Sequence, residues 1–210
     1  MSVLSEISGA MQRGKAKLVR ELVARGLEEG RSAGELLEGG LMAGMDAVGA
    51  CFQRNEIFVP EVLIAARAMN AGMELLRPEF SGRGPQMPGR VCIGTVKGDL
   101  HDIGKNLVRM MMESKGLQVV DLGVDVEAET FVRAAVEQDC GIIACSALLT
   151  TTMPVMGEVV RLAREAGIRG RVKIMVGGAP VTGQFCQSIG ADCYTADAVS
   201  AAEAAAGMLA

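Results

Sequence analysis

Apolar residues recur at helical spacing through the first third of the chain. Four helical segments are predicted, at about 3–11, 14–29, 37–52 and 60–76. Gly30 and the cap residue Ser32 separate the second segment from the third. The last segment is apolar on most of its faces, which is typical of a helix buried among others. Residues 1–77 are therefore predicted to form an all-α, four-helix bundle.

Residues 78–89 break this pattern with three prolines, three glycines and no periodicity, and they are predicted to be a linker. From residue 90 short apolar runs alternate with helical segments. Strands are predicted at about 90–95, 118–121, 141–145, 172–176 and 192–195, and helices at about 103–116, 127–138, 153–167, 181–189 and 198–209. This alternation predicts that residues 90–210 form a Rossmann-like α/β domain, a doubly wound five-stranded parallel sheet in the flavodoxin-like order 2-1-3-4-5.

One histidine occurs in the chain, His101, and it directly follows the first predicted strand. Ligands bind at the carboxyl ends of parallel strands, so its ring is a candidate metal ligand or acid–base group. Asp99 is close enough to accept the other ring N–H. A lone histidine is more often structural, so the residue alone leaves both interpretations open. A phosphate-binding loop is rejected because Gly98 and Gly104 are spaced differently and Asn106 replaces the required hydroxyl.

Other polar or glycine-containing segments follow the later strands. Residues 146–152 follow strand 3, Gly177-Gly178 follows strand 4, and residues 194–197 end strand 5. Because all these strands are predicted to be parallel, the segments fall on one edge of the sheet together with His101. The sequence therefore predicts a single site at that edge.

Three motifs, in this order, resemble the signatures of cobalamin-binding domains. They are D-x-H-x-x-G at Asp99, His101 and Gly104, S-x-L at Ser146 and Leu148, and the pair Gly177-Gly178. The longer string GDLHDIGKN resembles methionine synthase and the corrinoid proteins of anaerobic methyltransferase systems. The resemblance covers nearly the whole chain, because those carriers bear a helical bundle that caps the upper face of the cofactor. The string NEIFVPEVL, which includes Phe58, looks like the stretch at that cap.

The resemblance implies cobalamin bound base-off, with Nε2 of His101 as the lower ligand of cobalt. Asp99 would accept the Nδ1–H of His101, and the Thr152 hydroxyl would continue the relay, which makes Asp99 and Thr152 the candidate catalytic residues. Ser146 would hydrogen-bond the buried nucleotide base. The full set of candidate cofactor contacts is Asp99, His101, Asp102, Ile103, Gly104, Ser146, Leu148, Thr150, Thr152, Gly177, Gly178, Tyr194 and Ala198.

The resemblance also implies a function. The cofactor would alternate between cob(I)alamin and methylcobalamin, and so carry a methyl group from a substrate-specific methyltransferase to a second one that serves tetrahydrofolate or a thiol cofactor. A reductive activase is a further expected partner. Bundle and sheet account for all 210 residues, so we expect a carrier subunit and not a complete enzyme. The small subunit of an adenosylcobalamin mutase and a B12-dependent regulator remain as alternatives. The methyl donor and acceptor stay open.

Composition narrows the remaining classes of function. The net charge is −4, and no basic block or aromatic cluster points to nucleic acid. No apolar run is long enough for a membrane span or a signal peptide. The six cysteines form no C-x-x-C motif, so we expect reduced thiols in a cytoplasmic protein.

Overall fold

The computed structural model describes residues 2–80 and 89–209, and the chain divides into two units, Met1–Gln86 and Met87–Ala210. The helices of the first unit are α1 (Val3–Gln12), α2 (Ala16–Glu28), α3 (Ala33–Leu36), α4 (Ala43–Gln53) and α5 (Val59–Leu76). A π-helical segment, Leu37–Met42, joins α3 to α4 without a break, so these three pieces form one continuous helix. The predicted bundle of four helices is confirmed.

Local sequence explains how the third helix begins and how it packs. Ser32 and Glu35 form a capping box, in which each side chain accepts a bond from the backbone N–H of the other residue. Glycines within this helix then allow a close approach to α1. A Cβ atom at Gly40 would lie 3.0 Å from the Ile7 side chain, and one at Gly44 would lie 2.7 Å from Met11.

The second unit is the predicted doubly wound sheet. Its strands are β1 (Arg90–Thr95), β2 (Gln118–Asp121), β3 (Ile142–Ser146), β4 (Lys173–Gly177) and β5 (Cys193–Tyr194). All pairings are parallel, in the order β2-β1-β3-β4-β5. The helices are α6 (Ile103–Ser114), α7 (Ala128–Glu137), α8 (Pro154–Glu165), α9 (Gly183–Ile189) and α10 (Ala198–Leu209). The fold prediction is confirmed, although β5 has two residues where four were expected.

Strand register brings the ends of three strands together. Thr95 of β1 pairs with Ser146 of β3, and Ser146 pairs with Gly177 of β4. The apolar strand residues behind this edge, such as Val91, Cys92 and Ile143, are fully buried. The loops that follow β1, β3 and β4 therefore start level with one another, on a rigid core.

The predicted linker, 78–89, is described only in part. A 3-10 helix, Arg77–Phe80, continues from α5 into its first three residues, and residues 81–88 lie outside the described part of the chain. Among the described residues, no helix combines the length and the apolar character needed to cross a bilayer.

Candidate functional site

The buried carboxylate of Asp99 organises the edge where β1 and β3 end. Its Oδ2 accepts the backbone N–H groups of Leu148 at 2.7 Å and Leu149 at 3.1 Å. Its Oδ1 accepts the backbone N–H of His101 at 3.1 Å. Burial raises the pKa of Asp99, but the bonds from Leu148, His101 and Leu149 outweigh burial and hold that pKa well below its usual range. Asp99 is therefore a fixed negative charge that joins two loops.

The ring of His101 is held by the same carboxylate. Its Nδ1 lies 2.7 Å from Oδ1 of Asp99, a short charge-assisted hydrogen bond. With the proton on Nδ1, the lone pair for a metal is on Nε2. The side chain of His101 is 53% exposed, although its carboxylate partner is buried. This arrangement fits a metal ligand whose tautomer and orientation are set by a buried acceptor.

Thr152 completes the hydrogen-bonded group. Its Oγ1 lies 3.1 Å from Oδ2 of Asp99 and 2.9 Å from the carbonyl oxygen of Leu149. A hydroxyl has one proton, so Thr152 can donate to one of these two acceptors at a time. The structure thus joins Asp99, His101 and Thr152 in the order in which the resemblance linked them.

Large apolar side chains close to His101 in the chain, and others on the loop after β3, are exposed to solvent. Leu100 is 71% exposed and Ile103 is 75% exposed on the loop and helix after β1. Leu148 and Leu149 are exposed on the loop after β3. These four exposed apolar side chains lie on the segments that follow two neighbouring strands, β1 and β3, where a large, flat, mostly apolar ligand could cover them.

The three predicted glycines fall into two types. Gly178 has a φ of +127°, and a Cβ atom there would lie 1.8 Å from the carbonyl oxygen of Ala147, so the fold itself requires glycine. A Cβ atom at Gly104 or Gly177 would meet no atom within 4 Å. Neither the backbone nor the packing of this chain requires glycine there, which fits open space kept for a ligand. Gly178 is therefore needed for close packing within the protein, whereas Gly104 and Gly177 leave space that a ligand could approach closely.

The other predicted contacts have different surroundings. Ser146 is partly buried and Thr150 is exposed. Asp102 is exposed, and its Oδ2 accepts the side-chain amide of Asn106 at 3.0 Å. The last two predicted contacts lie farther along the sheet. Tyr194 is on β5, separated from β1 by β3 and β4, and Ala198 is buried at the start of α10.

Several residues that support the histidine loop were not predicted. Thr95, fully buried, donates its hydroxyl to the carbonyl of His101 at 2.8 Å. Asp125 accepts the N–H of Gly98 at 2.8 Å and donates its own N–H to the Asp99 carbonyl at 3.0 Å, with a positive φ of 55°. A signal for Thr95 was present in the sequence, since it is the one hydroxyl in the apolar run VCIGTV.

A buried ion pair anchors the first turn of α6. Nζ of Lys105 lies 2.6 Å and 2.7 Å from the two carboxylate oxygens of Asp121, at the end of β2. The Lys105 side chain is almost fully buried, whereas Asp121 is partly exposed. Burial raises the pKa of Asp121, but Lys105 and the Gly123 N–H outweigh this and lower it.

In the first unit, the predicted cap stretch, 55–63, forms the end of the loop before α5 and the start of α5. Arg54 and Glu56 form a two-bond ion pair, with both contacts at 2.8 Å. The Glu61 side chain accepts the backbone N–H of Phe58 at 3.0 Å. Phe58 itself is 66% exposed, and Leu63 and Ile64 are also exposed. Exposed apolar side chains therefore lie both on this loop and on the first turns of α5.

Both units match known families. Residues 89–206 match a family model described as B12 binding domain, and residues 3–77 match a second model with the same description. The chain is 47% identical over 194 residues to trimethylamine corrinoid protein 1 of Methanosarcina mazei, covering 90% of each protein. It is 42% identical over 211 residues to dimethylamine corrinoid protein 1 of Methanosarcina acetivorans, covering 99% of this chain and 98% of that protein.

Solved structures agree over the same length. The crystal structure of the methanol:cobalamin methyltransferase complex from Methanosarcina barkeri matches with a TM-score of 0.88 and 32% identity, covering 99% of this chain and 79% of that chain. A cobalamin-binding protein from Desulfitobacterium hafniense matches with a TM-score of 0.83 and 30% identity, covering 98% of each. The resemblance seen in the motifs is confirmed, and the chain belongs to the family of B12-binding corrinoid proteins found in methyltransferase systems, with cobalamin as its cofactor.

Proposed function

We propose that this chain carries a methyl group between two methyltransferases, on cobalamin bound base-off with His101 as the lower ligand. One observation carries the proposal: the exposed imidazole whose Nδ1 lies 2.7 Å from a buried carboxylate. When bound, cobalamin supplies the cobalt that accepts and releases the methyl group. A corrin ring provides four nitrogen ligands, so a single imidazole suffices as the protein ligand.

The residues of the chain divide the remaining work. Asp99 keeps the proton of His101 on Nδ1, so that Nε2 faces the metal. Thr152, with two acceptors for one proton, can turn its hydroxyl toward Asp99 or away from it as the ring moves. The Thr152 hydroxyl could therefore respond to binding or release of His101, while the N–H groups of Leu148 and Leu149 continue to donate to Asp99.

The open and apolar surfaces near His101 would hold the rest of the cofactor. Gly104 and Gly177 border space without protein atoms, where the displaced nucleotide tail would lie. Ser146 ends β3 next to Gly177, and its hydroxyl would bind the nucleotide base. Leu100 and Ile103 would lie against the lower face of the corrin ring.

The proposed partners are separate proteins. One methyltransferase would supply the methyl group, a second would transfer it to tetrahydrofolate or a thiol cofactor, and a reductive activase would restore the reduced state of the metal. Relatives named for trimethylamine and dimethylamine are 42–47% identical, so methylamines are the donor class to test first. We propose that the protein works in the reducing cytoplasm, where its six cysteines would remain thiols. Relatives that span both units favour a carrier over a mutase subunit or a regulator.

We further propose that the first unit covers the upper face of the cofactor. Phe58 lies on a loop braced by the ion pair of Arg54 and Glu56, and Leu63 and Ile64 follow on α5; all three side chains are apolar and exposed, and we take them as one patch. Such a patch would exclude water from a bound methyl group between transfers. The predicted linker, 78–89, would let this unit move, and its residues 81–88 lie outside the described part of the chain. Phe58→Ala should speed photolysis of the methylated protein, whereas Val136→Ala, at an exposed position on α7, should not. Equal rates for Phe58→Ala and the wild type would contradict the cap.

The carrier function can be tested with the chain itself. The apoprotein is loaded with cobalamin, reduced, treated with radiolabelled methyl iodide and desalted. We expect about one label per bound cobalamin, which is then released to a thiol only when a methyltransferase is added. His101→Ala should bind less cobalamin and hold the label less well. Stoichiometric cobalamin binding without retention of label would refute the carrier function.

A further inference from the structure

The hydroxyl of Thr95 is hydrogen-bonded to the backbone of His101, the proposed cobalt ligand. Thr95 is the last residue of β1, and its side chain is fully buried. The strand residues before it, Val91, Cys92 and Ile93, and Val96 after it, are apolar and buried, so a valine would be the ordinary residue here. A buried hydroxyl costs free energy unless it is hydrogen-bonded. Its one proton is donated to the carbonyl oxygen of His101 at 2.8 Å.

Three bonds therefore fix His101, and Thr95 supplies one of them. Asp99 accepts both the backbone N–H of His101 and its ring Nδ1–H. Thr95 binds the carbonyl at the other end of the same residue. His101 lies between β1 and α6 and belongs to neither, so these side chains replace the restraint that a helix or strand would provide. Without Thr95, the peptide group between His101 and Asp102 could rotate.

The backbone of Thr95 adds a second restraint. Its N–H donates to the carbonyl of Gly123 at 3.0 Å, and its carbonyl accepts the N–H of Val126 at 3.0 Å. Both partners belong to the loop between β2 and α7. The end of β1 at Thr95 is thus hydrogen-bonded to the loop between β2 and α7. A hydroxyl on so rigid a base can set the position of the residue it binds.

We propose that Thr95 is a positioning residue for the cobalt ligand, and that it sets how strongly His101 binds the metal by fixing the His101 carbonyl. This inference rests on the ligand role proposed above for His101. A mobile His101 backbone must be ordered each time the ring binds, which weakens ligation. One net hydrogen bond corresponds to about a threefold to tenfold change in an equilibrium constant. Because Thr95 is fully buried, it would act on the metal through the loop alone.

Two matched comparisons isolate the hydroxyl: the wild type with Thr95→Val, and Thr95→Ser with Thr95→Ala. Thr95→Val replaces the hydroxyl with a methyl group at nearly equal volume, and Thr95→Ala differs from Thr95→Ser by one oxygen atom. The variants are loaded with cobalamin, and the cobalt(II) state is examined by electron paramagnetic resonance. The fraction of metal with axial nitrogen splitting gives the ratio of bound to released histidine. The midpoint potential for reduction to cobalt(I) gives an independent measure, because reduction releases the ligand.

We expect Thr95→Val and Thr95→Ala to lower the bound-to-released ratio about threefold to tenfold, and Thr95→Ser to resemble the wild type. The midpoint should rise by about 30 to 60 mV in the first two variants, at 59 mV per decade for one electron. If the apoprotein melts at a lower temperature but ratio and midpoint are unchanged, Thr95 is scaffold only and the inference is wrong. A shift of equal size in Thr95→Ser would assign the effect to packing and also overturn it. If a variant in one comparison does not fold, the other comparison still tests the role of the hydroxyl.

A control separates this inference from the proposed function. His101→Ala should abolish the nitrogen-14 splitting when the cofactor's own base carries nitrogen-15. If that nitrogen-14 splitting persists in His101→Ala, the ligand role of His101 fails, and the role of Thr95 fails with it. If the splitting is lost in His101→Ala but unaffected in Thr95→Val and Thr95→Ala, only the role of Thr95 is contradicted.

Discussion

Replacing Asp99 with asparagine places a donor where the structure has room only for acceptors. Oδ2 faces the N–H groups of Leu148 and Leu149 and the Thr152 hydroxyl, and Oδ1 faces the backbone N–H and the ring of His101. The amide NH2 group must occupy one of these two positions. On the Oδ2 side it meets two backbone donors that cannot change, and on the Oδ1 side it meets one.

The two positions differ in cost. A buried unsatisfied donor costs about 1–3 kcal/mol, so the Oδ2 side costs about 2–6 kcal/mol for two N–H groups. The Oδ1 side costs about 1–3 kcal/mol for the His101 N–H, because the ring can move its proton from Nδ1 to Nε2 and accept instead. The asparagine amide is therefore expected to face His101. That proton then occupies the nitrogen that would bind cobalt.

Asp99→Asn should thus remain folded, with stability lowered by about 1–3 kcal/mol, yet bind cobalt through histidine about 10–100-fold more weakly. Urea denaturation of the apoprotein measures the first quantity. The axial nitrogen splitting of the cobalt(II) protein measures the second. A fully ligated histidine in a folded Asp99→Asn protein would refute this reasoning, because Nε2 would then be unprotonated despite the amide.

Further predictions concern the glycines and the buried ion pair. Gly178→Ala should destabilise the apoprotein by at least ~3 kcal/mol, because its Cβ would collide with the Ala147 carbonyl. Gly177→Ala should leave apoprotein stability within about 0.5 kcal/mol but weaken cobalamin binding, and unchanged affinity there would show that the tail lies elsewhere. Asp121→Ala should cost about 3–5 kcal/mol by stranding the buried Lys105 charge, and Lys105→Met should cost less, because Asp121 is partly exposed. The pKa of Asp121 is lowered in the folded protein. The ionised carboxylate therefore stabilises the fold fully above the unfolded-state pKa of about 3.9, and this stabilisation is lost as the pH falls from there through the lower folded-state pKa. The stability difference between wild type and Asp121→Asn should shrink between pH 6 and pH 3, and a constant difference would contradict the assignment.

Periodicity and motif order predicted the fold because those features are local. Alternating apolar runs and helical stripes indicate a doubly wound sheet wherever strands are buried on both faces. The helical segment before Phe52 was also predicted, but not the π-helical turns at Leu37–Met42. Those turns accompany the close approach of Gly40 and Gly44 to α1, which is a tertiary contact. Periodicity does not report which neighbour a glycine will meet.

The sequence predicted those site residues whose side chains have a characteristic chemistry. Asp99, His101 and Thr152 were expected to form a relay. In the structure the Asp99 carboxylate lies 2.7 Å from Nδ1 of His101 and 3.1 Å from Oγ1 of Thr152. Supporting residues carry no such signal. Lys105 has the sequence features of a solvated helix residue but is almost fully buried, since only the folded sheet places Asp121 beside it. Asp125 adopts a positive φ that its residue type permits but does not require.

Selective nitrogen-15 labelling of histidine tests the central claim most directly, because the chain has a single histidine. The untagged protein is loaded with cobalamin, reduced to cobalt(II) and studied by electron paramagnetic resonance. If His101 is the lower ligand, the axial splitting will change from a triplet to a doublet on labelling of the protein and will not respond to labelling of the cofactor's own base. A triplet that is unaffected by labelled histidine but becomes a doublet with a labelled cofactor base would contradict base-off binding through His101.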